Sequence, residues 1–398
     1  GLREIDIQAA IDVLQSGNLT MGAKVKEFEQ VMAEYLKVKN FVMVNSGSSA
    51  NLAIFEALMR PSKGEARLKP GDGVLVPAVA WPTTIWPIVQ LGLHPIFVDV
   101  ELESVSIDLR KAQQVLSESK IKVKALFPIH PLGFAIDPNA LDDFTKKNNL
   151  ILINDVCESL GSWKGGMHAG TSGVAGSFSF YFSHHITTME GGGVATNDNE
   201  FADDLRAIRS HGWSRDRRDV ADWTSQISNT DAKFRFVTTG YNIRPMEIQA
   251  AIGINQMKDL DTFISRRRKI ASKLSAALDG TCLRILDGSS LTSDNQDSGH
   301  SWMLIPIEVK THDAKKQKIK LLELLSTAEI ETRPVLTGNF LSQPSMNRID
   351  GGHPPAENFP IATHITDTCF MVGAHHDLTE SQIDYLCEKL REFSFELC

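Results

Sequence analysis

Three stretches of this chain combine residue types and spacings that could do chemistry. Asn45-Ser46-Gly47-Ser48-Ser49-Ala50 sets small residues and hydroxyls between an apolar run and a helical pattern. Backbone N–H groups and the Ser48 and Ser49 hydroxyls can there converge on an anion at the positive end of a helix. The same composition also makes an ordinary N-cap. In Asn154-Asp155-Val156-Cys157-Glu158 an acid follows the apolar run Leu150 to Ile153, at the carboxyl edge where open α/β sheets place their ligands. Asp155 can cap the following helix, or it can hold a heteroaromatic nitrogen protonated while Glu158 exchanges a hydrogen bond nearby. The third stretch, Phe178 to Gly193, reads as a strand running into a glycine-rich turn that carries His184 and His185. Neighbouring histidines point in different directions on a strand and make a poor metal pair, so no metal is expected.

The elements that must position these residues alternate. Val25, Phe28, Met32, Tyr35 and Leu36 recur at helical spacing, and a second helix is expected from Pro138 to Asn149, with proline in its first turn. Strands are expected at Phe41 to Val44, Val74 to Val76, Pro95 to Val98, Ala125 to Phe127, Leu150 to Ile153 and Ser177 to Phe182. This βαβ pattern implies an α/β fold with a mainly parallel sheet covered by helices. Long helical periodicity runs from Pro245 to about Leu278, and a last helix from Ser381 to Phe393. A large domain over 1–260 and a smaller C-terminal domain over 261–398 are therefore expected. Gly288 to Gly299, rich in Ser, Asp and Gly, is the clearest flexible loop. Arg266, Arg267, Arg268 and Lys269 are expected to form a solvated face of the long helix rather than a phosphate patch.

With 398 residues, 42% of them hydrophobic, the chain can bury a large core. A net charge of −8 argues against nucleic acid or an anionic membrane as a partner. The five cysteines, Cys157, Cys282, Cys369, Cys387 and Cys398, are widely spaced and read as reduced thiols. With neither a membrane-length apolar segment nor a secretory signal pattern, a cytoplasmic enzyme is expected.

Taken together, the motifs resemble the sugar aminotransferase family named for DegT, DnrJ, EryC1 and StrS, and the resemblance runs over nearly the whole chain. It rests on Gly17 to Gly22 with Phe28-Glu29, on Ser46 to Ala50, Asp99, Asp155, Phe178-Ser179-Phe180, Glu190-Gly191-Gly192 and Gly240 to Arg244. It implies the type I fold of pyridoxal-phosphate aminotransferases, a mainly parallel mixed sheet flanked by helices with a smaller C-terminal α+β domain. It also implies roles: Ser48, Ser49 and Ser179 on the cofactor phosphate, Trp81 stacked on the pyridine ring, Asp155 on its nitrogen and Glu158 on its hydroxyl. Asn242 would reach the phosphate of a neighbouring subunit, which implies a homodimer with shared active sites.

One position departs from the family. Phe178-Ser179-Phe180 should be followed, after three residues, by the lysine that tethers pyridoxal phosphate, and this chain has His184. Imidazole cannot make that covalent bond, but it can move protons near neutral pH. Pyridoxal or pyridoxamine phosphate would then be held non-covalently. The departure resembles the 3-dehydratase branch of the family. That resemblance implies loss of the C3 hydroxyl from a nucleotide-linked 4-keto-6-deoxy sugar, with His184 carrying the proton and glutamate restoring the amine. GDP-4-keto-6-deoxymannose is the favoured substrate, in deoxysugar and O-antigen synthesis. Branch members that bind an iron–sulfur cluster carry cysteines after a Trp-Gly-Arg-Asp-like stretch. Here His211 to Asn242 contains no cysteine, so neither a cluster nor a reductase partner is expected. Arg333 is a candidate for a substrate phosphate or carboxylate. The alternatives are amino transfer to a nucleotide sugar, a CDP-linked substrate, and a non-catalytic protein that has lost its lysine. No lysine lies between Lys164 and Lys233 to replace the missing one.

Overall fold

Short runs of β-branched and aromatic residues, each closed by a turn, become the strands of one sheet. In the computed structural model, which describes residues 1–60, 67–287, 299–349 and 352–397, these are β1 (Asn40–Val44), β2 (Gly73–Pro77), β3 (His94–Val98), β4 (Val123–Leu126) and β5 (Ile151–Asp155). A two-stranded ribbon, β6 (Trp163–Lys164) and β7 (Met167–His168), precedes β8 (Ala175–Ser179) and β9 (Gly192–Thr196). The seven-stranded order is β1-β9-β8-β5-β4-β2-β3. Its pairs from β8 through β3 are parallel, and β9 runs antiparallel to both of its neighbours. A second, antiparallel sheet follows, with β10 (Leu283–Ile285), β11 (Leu304–Val309), β12 (Thr332–Arg333) and β13 (Cys369–Gly373) in the order β10-β11-β13-β12. The expected α/β fold, a mainly parallel mixed sheet flanked by helices, is the one observed.

Three apolar clusters fix the frame around the sheet edge. One packs the Gly47–Leu58 and Asn199–Ile208 helices on the sheet and takes in Val335, Phe340, Ile365 and Met371 from the C-terminal third. A second lies under the antiparallel sheet. The third buries Phe28, Phe41, Phe178 and Phe180 against Ile254 and Leu260. Phe28 and Phe180 meet edge-on at 5.2 Å, which pins the start of the turn that carries His184.

Four expectations are corrected. The strand expected to reach Phe182 ends at Ser179, because Phe180 N–H donates to Gly191 O at 2.8 Å and Thr188 N–H to Phe180 O at 3.0 Å, folding the chain into a loop. The single long helix is two, Glu247–Lys258 and Leu260–Leu278. Asp259 between them leaves helical geometry and pairs with Arg3. The basic cluster is not a uniformly solvated face. Arg267 is 1% exposed, because it falls on the stripe Leu260, Phe263, Ile264, Arg267, Ile270, Ala271 and Leu274 that faces the core. The stretch 288–298 of the expected flexible loop lies outside the described residues. Cys157, Cys369 and Cys387 are free, while Cys282, seated against the C-terminal helix at Ser394, is disulfide-bonded rather than reduced. Among the described residues no helix is long and apolar enough to cross a membrane.

Gly192 shows how tightly the turn at Ser46 and Gly47 is set. A Cβ there would lie 2.3 Å from Ser46 C and 2.4 Å from Gly47 N, both backbone atoms. Gly192→Ala is therefore expected to cost roughly 1–3 kcal/mol and to displace the turn. A lowered urea midpoint at unchanged slope would bear this out; a midpoint equal to that of the parent protein would not.

Candidate active site

The parallel strands deliver their carboxyl ends to one edge, and the residues just beyond them line a cavity of about 550 Å³. Ser46, Gly47 and Ser48 follow β1, Trp81, Thr83 and Thr84 follow β2, and Ile129 follows β4. Asp155 ends β5, with Cys157 and Glu158 just after it, and Ser179 ends β8. Tyr181, Ser183, His184 and Glu190 come from the β8–β9 loop. Met303, Leu304, Arg333, Pro334, Leu336 and Met371 close the wall from the C-terminal third. The sequence reading is thereby brought together for Ser48, Trp81, Asp155, Glu158, Ser179, His184 and Arg333.

Two expected residues lie outside this lining. The Ser49 hydroxyl accepts a hydrogen bond from Ser46 Oγ at 3.0 Å, while Ser49 N–H donates to the same Ser46 oxygen. Ser46 is thus the N-cap of the Gly47–Leu58 helix. Asn242 is exposed, and its side-chain oxygen accepts from Arg244 Nε at 3.0 Å.

Asp155 forms the floor. Its Oδ2 accepts from Asn51 Nδ2 at 2.9 Å and from Thr84 Oγ1 at 2.8 Å, and its Oδ1 accepts from the Cys157 N–H at 3.1 Å. Three donors thus converge on this one buried carboxyl. Asn51 and Thr84 were missed by the sequence reading. The available signal was a polar side chain one helical turn beyond Ser48, on a helix that is otherwise apolar around it.

Glu158 accepts from the Leu132 N–H at 2.9 Å. Burial lifts its carboxyl to about 7, aided by the Asp155 charge and opposed by that N–H. A carboxyl raised in the folded state contributes stability below its ordinary value of 4.5, and that contribution is lost as pH rises through about 7. Glu158→Gln should remove this part of the pH dependence. Urea denaturation at a series of pH values between 4.5 and 7 reads it, and a slope unchanged by the substitution would contradict the assignment.

The His184 N–H donates to Tyr181 O at 2.9 Å, closing a tight turn. The imidazole meets the Tyr181 ring edge-on at 5.9 Å, and its Nδ1 is buried without a hydrogen-bond partner. Burial, and after it the Arg267 charge, pull its pKa down to about 4, so the ring is neutral at pH 7 and able to accept a proton. Behind it His185 is fully buried, with Nε2 at 3.2 Å from Ser301 O. Arg333 lines the cavity with Nε and one terminal nitrogen donating to Glu331 at 3.0 and 2.9 Å. Elsewhere, His375, His376 and Asp377 bring potential ligand atoms within 4.8 Å of one another.

The residues fit a phosphorylated pyridine. A Cβ at Gly47 would lie 2.6 Å from Ser179 Cβ and 2.8 Å from Cys157 Sγ, so only glycine lets the helix N-terminus and the Ser179 hydroxyl come this close around an anion. Trp81 stays 52% exposed on the wall, a flat apolar face without a partner ring among the described residues. The unpartnered Nδ1 of His184 and the carboxyl of Asp155 supply the polar ends. Among the described residues lining the cavity there is no lysine.

The chain is similar to known proteins over nearly its whole length. The sequence profile of the DegT/DnrJ/EryC1/StrS aminotransferase family matches residues 2–391. The chain is 38% identical over 388 residues to the GDP-4-keto-6-deoxy-D-mannose 3-dehydratase of Yersinia pseudotuberculosis, covering 95% of this chain and 93% of that one. It is similar to a crystal structure of GDP-4-keto-6-deoxymannose-3-dehydratase with bound GDP-perosamine, at a TM-score of 0.87 and 35% identity over 98% of this chain and 97% of that one. It is also similar to a structure of that enzyme with a trapped PLP-glutamate geminal diamine, at a TM-score of 0.86 and 35% identity over the same shares. A fold, a sheet-edge cavity and a sequence match that extend together from one end of the chain to the other place it: the chain belongs to the DegT/DnrJ/EryC1/StrS aminotransferase family.

Proposed function

We propose that this chain is a 3-dehydratase of a nucleotide-linked 4-keto-6-deoxy sugar, dependent on pyridoxal and pyridoxamine phosphate. The observation that carries this reading is His184, a neutral imidazole with an unpartnered nitrogen, on a cavity wall that offers no lysine among its described residues. Pyridoxamine phosphate, when bound, supplies the amine that engages the C4 carbonyl of the sugar and the ring that draws electrons away from it.

The chain's own residues do the rest. Ser48, Ser49, Ser179 and the N-terminal N–H groups of the Gly47–Leu58 helix hold the phosphate, and Trp81 covers one face of the ring. Asp155, held among its three donors, keeps the ring nitrogen protonated, and Glu158 bonds the ring hydroxyl. His184 takes up a proton as a neutral base. Burial then makes the imidazolium a strong acid, suited to hand that proton to the C3 hydroxyl oxygen as it leaves. Arg333 meets the substrate's phosphate or carboxylate groups at the mouth. L-Glutamate restores the amine, a reading supported by the glutamate trapped in the similar structure.

GDP is the favoured nucleotide, because the relative at 38% identity is named for a GDP sugar. The protein is read as cytoplasmic and as a homodimer in which Asn242 serves the partner's phosphate site. Trp81, Tyr181, Phe182 and Met189, exposed around the cavity, provide apolar surface for such an interface. Incubation with GDP-, CDP- and dTDP-linked 4-keto-6-deoxy sugars and glutamate tests the substrate. Turnover of the GDP sugar in preference to the other two is expected, and a preference for CDP or dTDP would overturn the nucleotide assignment.

A further inference from the structure

Arg267 is a buried cation without an adjacent carboxylate among the described residues. It heads the largest fully buried side chains of the molecule at 1% exposure, and its Nε has no hydrogen-bond partner. Its terminal nitrogens donate to Trp302 O at 3.2 Å, Met303 O at 2.9 Å and His184 O at 3.4 Å. Among the described residues Asp377 is the one carboxylate that acts on it, and desolvation leaves its pKa at about 10, so the guanidinium stays charged near neutral pH. Buried charges are ordinarily paired, since an unpaired one is costly. Here it is held by carbonyls alone.

Two of those carbonyls, His184 and Met303, belong to residues that line the cavity. His184 sits on the β8–β9 loop, and Met303 lies on the segment that enters β11. Trp302 is in the left-handed region at φ 50°, as is Leu132 at φ 55°, and Met303 N–H donates to Leu132 O at 2.9 Å. The Leu132 N–H in turn donates to Glu158. Two strained residues thus meet beside the site, a conformation that persists only where surrounding bonds over-determine it.

Resting on the reading of His184 as the acid/base, we propose that Arg267 is its positioning residue. It clamps the His184 turn to the Trp302–Met303 segment, and its charge adds to burial in favouring the neutral, proton-accepting imidazole. The other groups that face this pair are of several kinds. His185 follows in the chain, and His300, against Arg268, lies beyond it. Tyr181 is against the ring. Glu190, Asp155 and Glu158 line the same cavity, and His375, His376 and Asp377 lie behind the guanidinium. Two neutral histidines and a partly exposed Asp377 leave the guanidinium as the main charge behind the ring.

The test reads the His184 imidazole by NMR titration of the substrate-free protein, its signal identified by absence in His184→Asn, alongside kcat and KM against pH. Arg267→Gln removes the charge. It should move the titration up by roughly one pH unit, and the acid limb of kcat/KM should follow. Arg267→Lys keeps the charge but loses the fork. It should leave the titration in place while kcat falls roughly tenfold at unchanged KM for the sugar. An unmoved titration in Arg267→Gln overturns the proposal. Should that variant not fold, Arg267→Lys decides, and a shifted titration or an undiminished kcat overturns it. Because the titration needs no sugar, a protein inactive on keto sugars would sink the proposed function and leave this test standing.

Discussion

His184→Asn is expected to lower dehydration roughly 10²–10⁴-fold, the usual contribution of a positioned acid/base group, while leaving the cofactor site assembled. The side chain is close in size to imidazole and can still point a polar group into the cavity. It cannot accept the proton that the neutral ring accepts, nor return it as a strong acid. The ring makes no hydrogen bond at Nδ1 that the substitution would break, so the loss should fall on kcat. Steady-state rates on the keto sugar, set beside an absorbance titration with pyridoxamine phosphate, separate the two effects. A variant with parental turnover would refute the role given to His184.

Asp155→Asn should have the second large effect. Asn51, Thr84 and the Cys157 N–H all donate to the carboxylate, so the substitution removes a charge and turns one acceptor into a donor facing other donors. A hydrogen bond to a charged group is worth about 1.5–3 kcal/mol, so the affinity for pyridoxamine phosphate should drop by roughly ten- to a hundredfold. Turnover should fall further still, because the ring nitrogen loses the group that keeps it protonated. Titration of cofactor into stripped protein measures the first effect; parental affinity there would contradict the place given to Asp155.

Much of the site was legible because its residues sit at strand ends, where sequence signals are strong. The apolar run before Asp155 located β5, the small residues after β1 located the Ser46–Ser48 stretch of the cavity wall, and the Phe178-Ser179-Phe180 run located Ser179 and, by spacing, His184. Asn51 and Thr84 were illegible as partners of Asp155, since each stands on a different helix and only the parallel crossovers bring them to one carboxyl. The early end of β8 was hidden for a similar reason. Tyr181 and Phe182 have strand-forming side chains, and it is the pairing of Phe180 with Gly191 that turns the chain away. Arg267 was readable in principle. Its charge suggested a solvated face, while its place between Ile264 and Ile270 on the apolar stripe pointed inward, and the periodicity proved the better guide. Asn242 lies outside the cavity lining of its own chain.

The central claim is that His184 turns an aminotransferase site into one that eliminates a hydroxyl, and the products made from GDP-4-keto-6-deoxymannose and glutamate test it most directly. Ammonia and 2-oxoglutarate released with each sugar consumed, and a sugar product that keeps its C4 ketone and lacks the C3 oxygen by mass, are the predicted result. An aminated sugar that retains its C3 hydroxyl, formed without free ammonia, would contradict it.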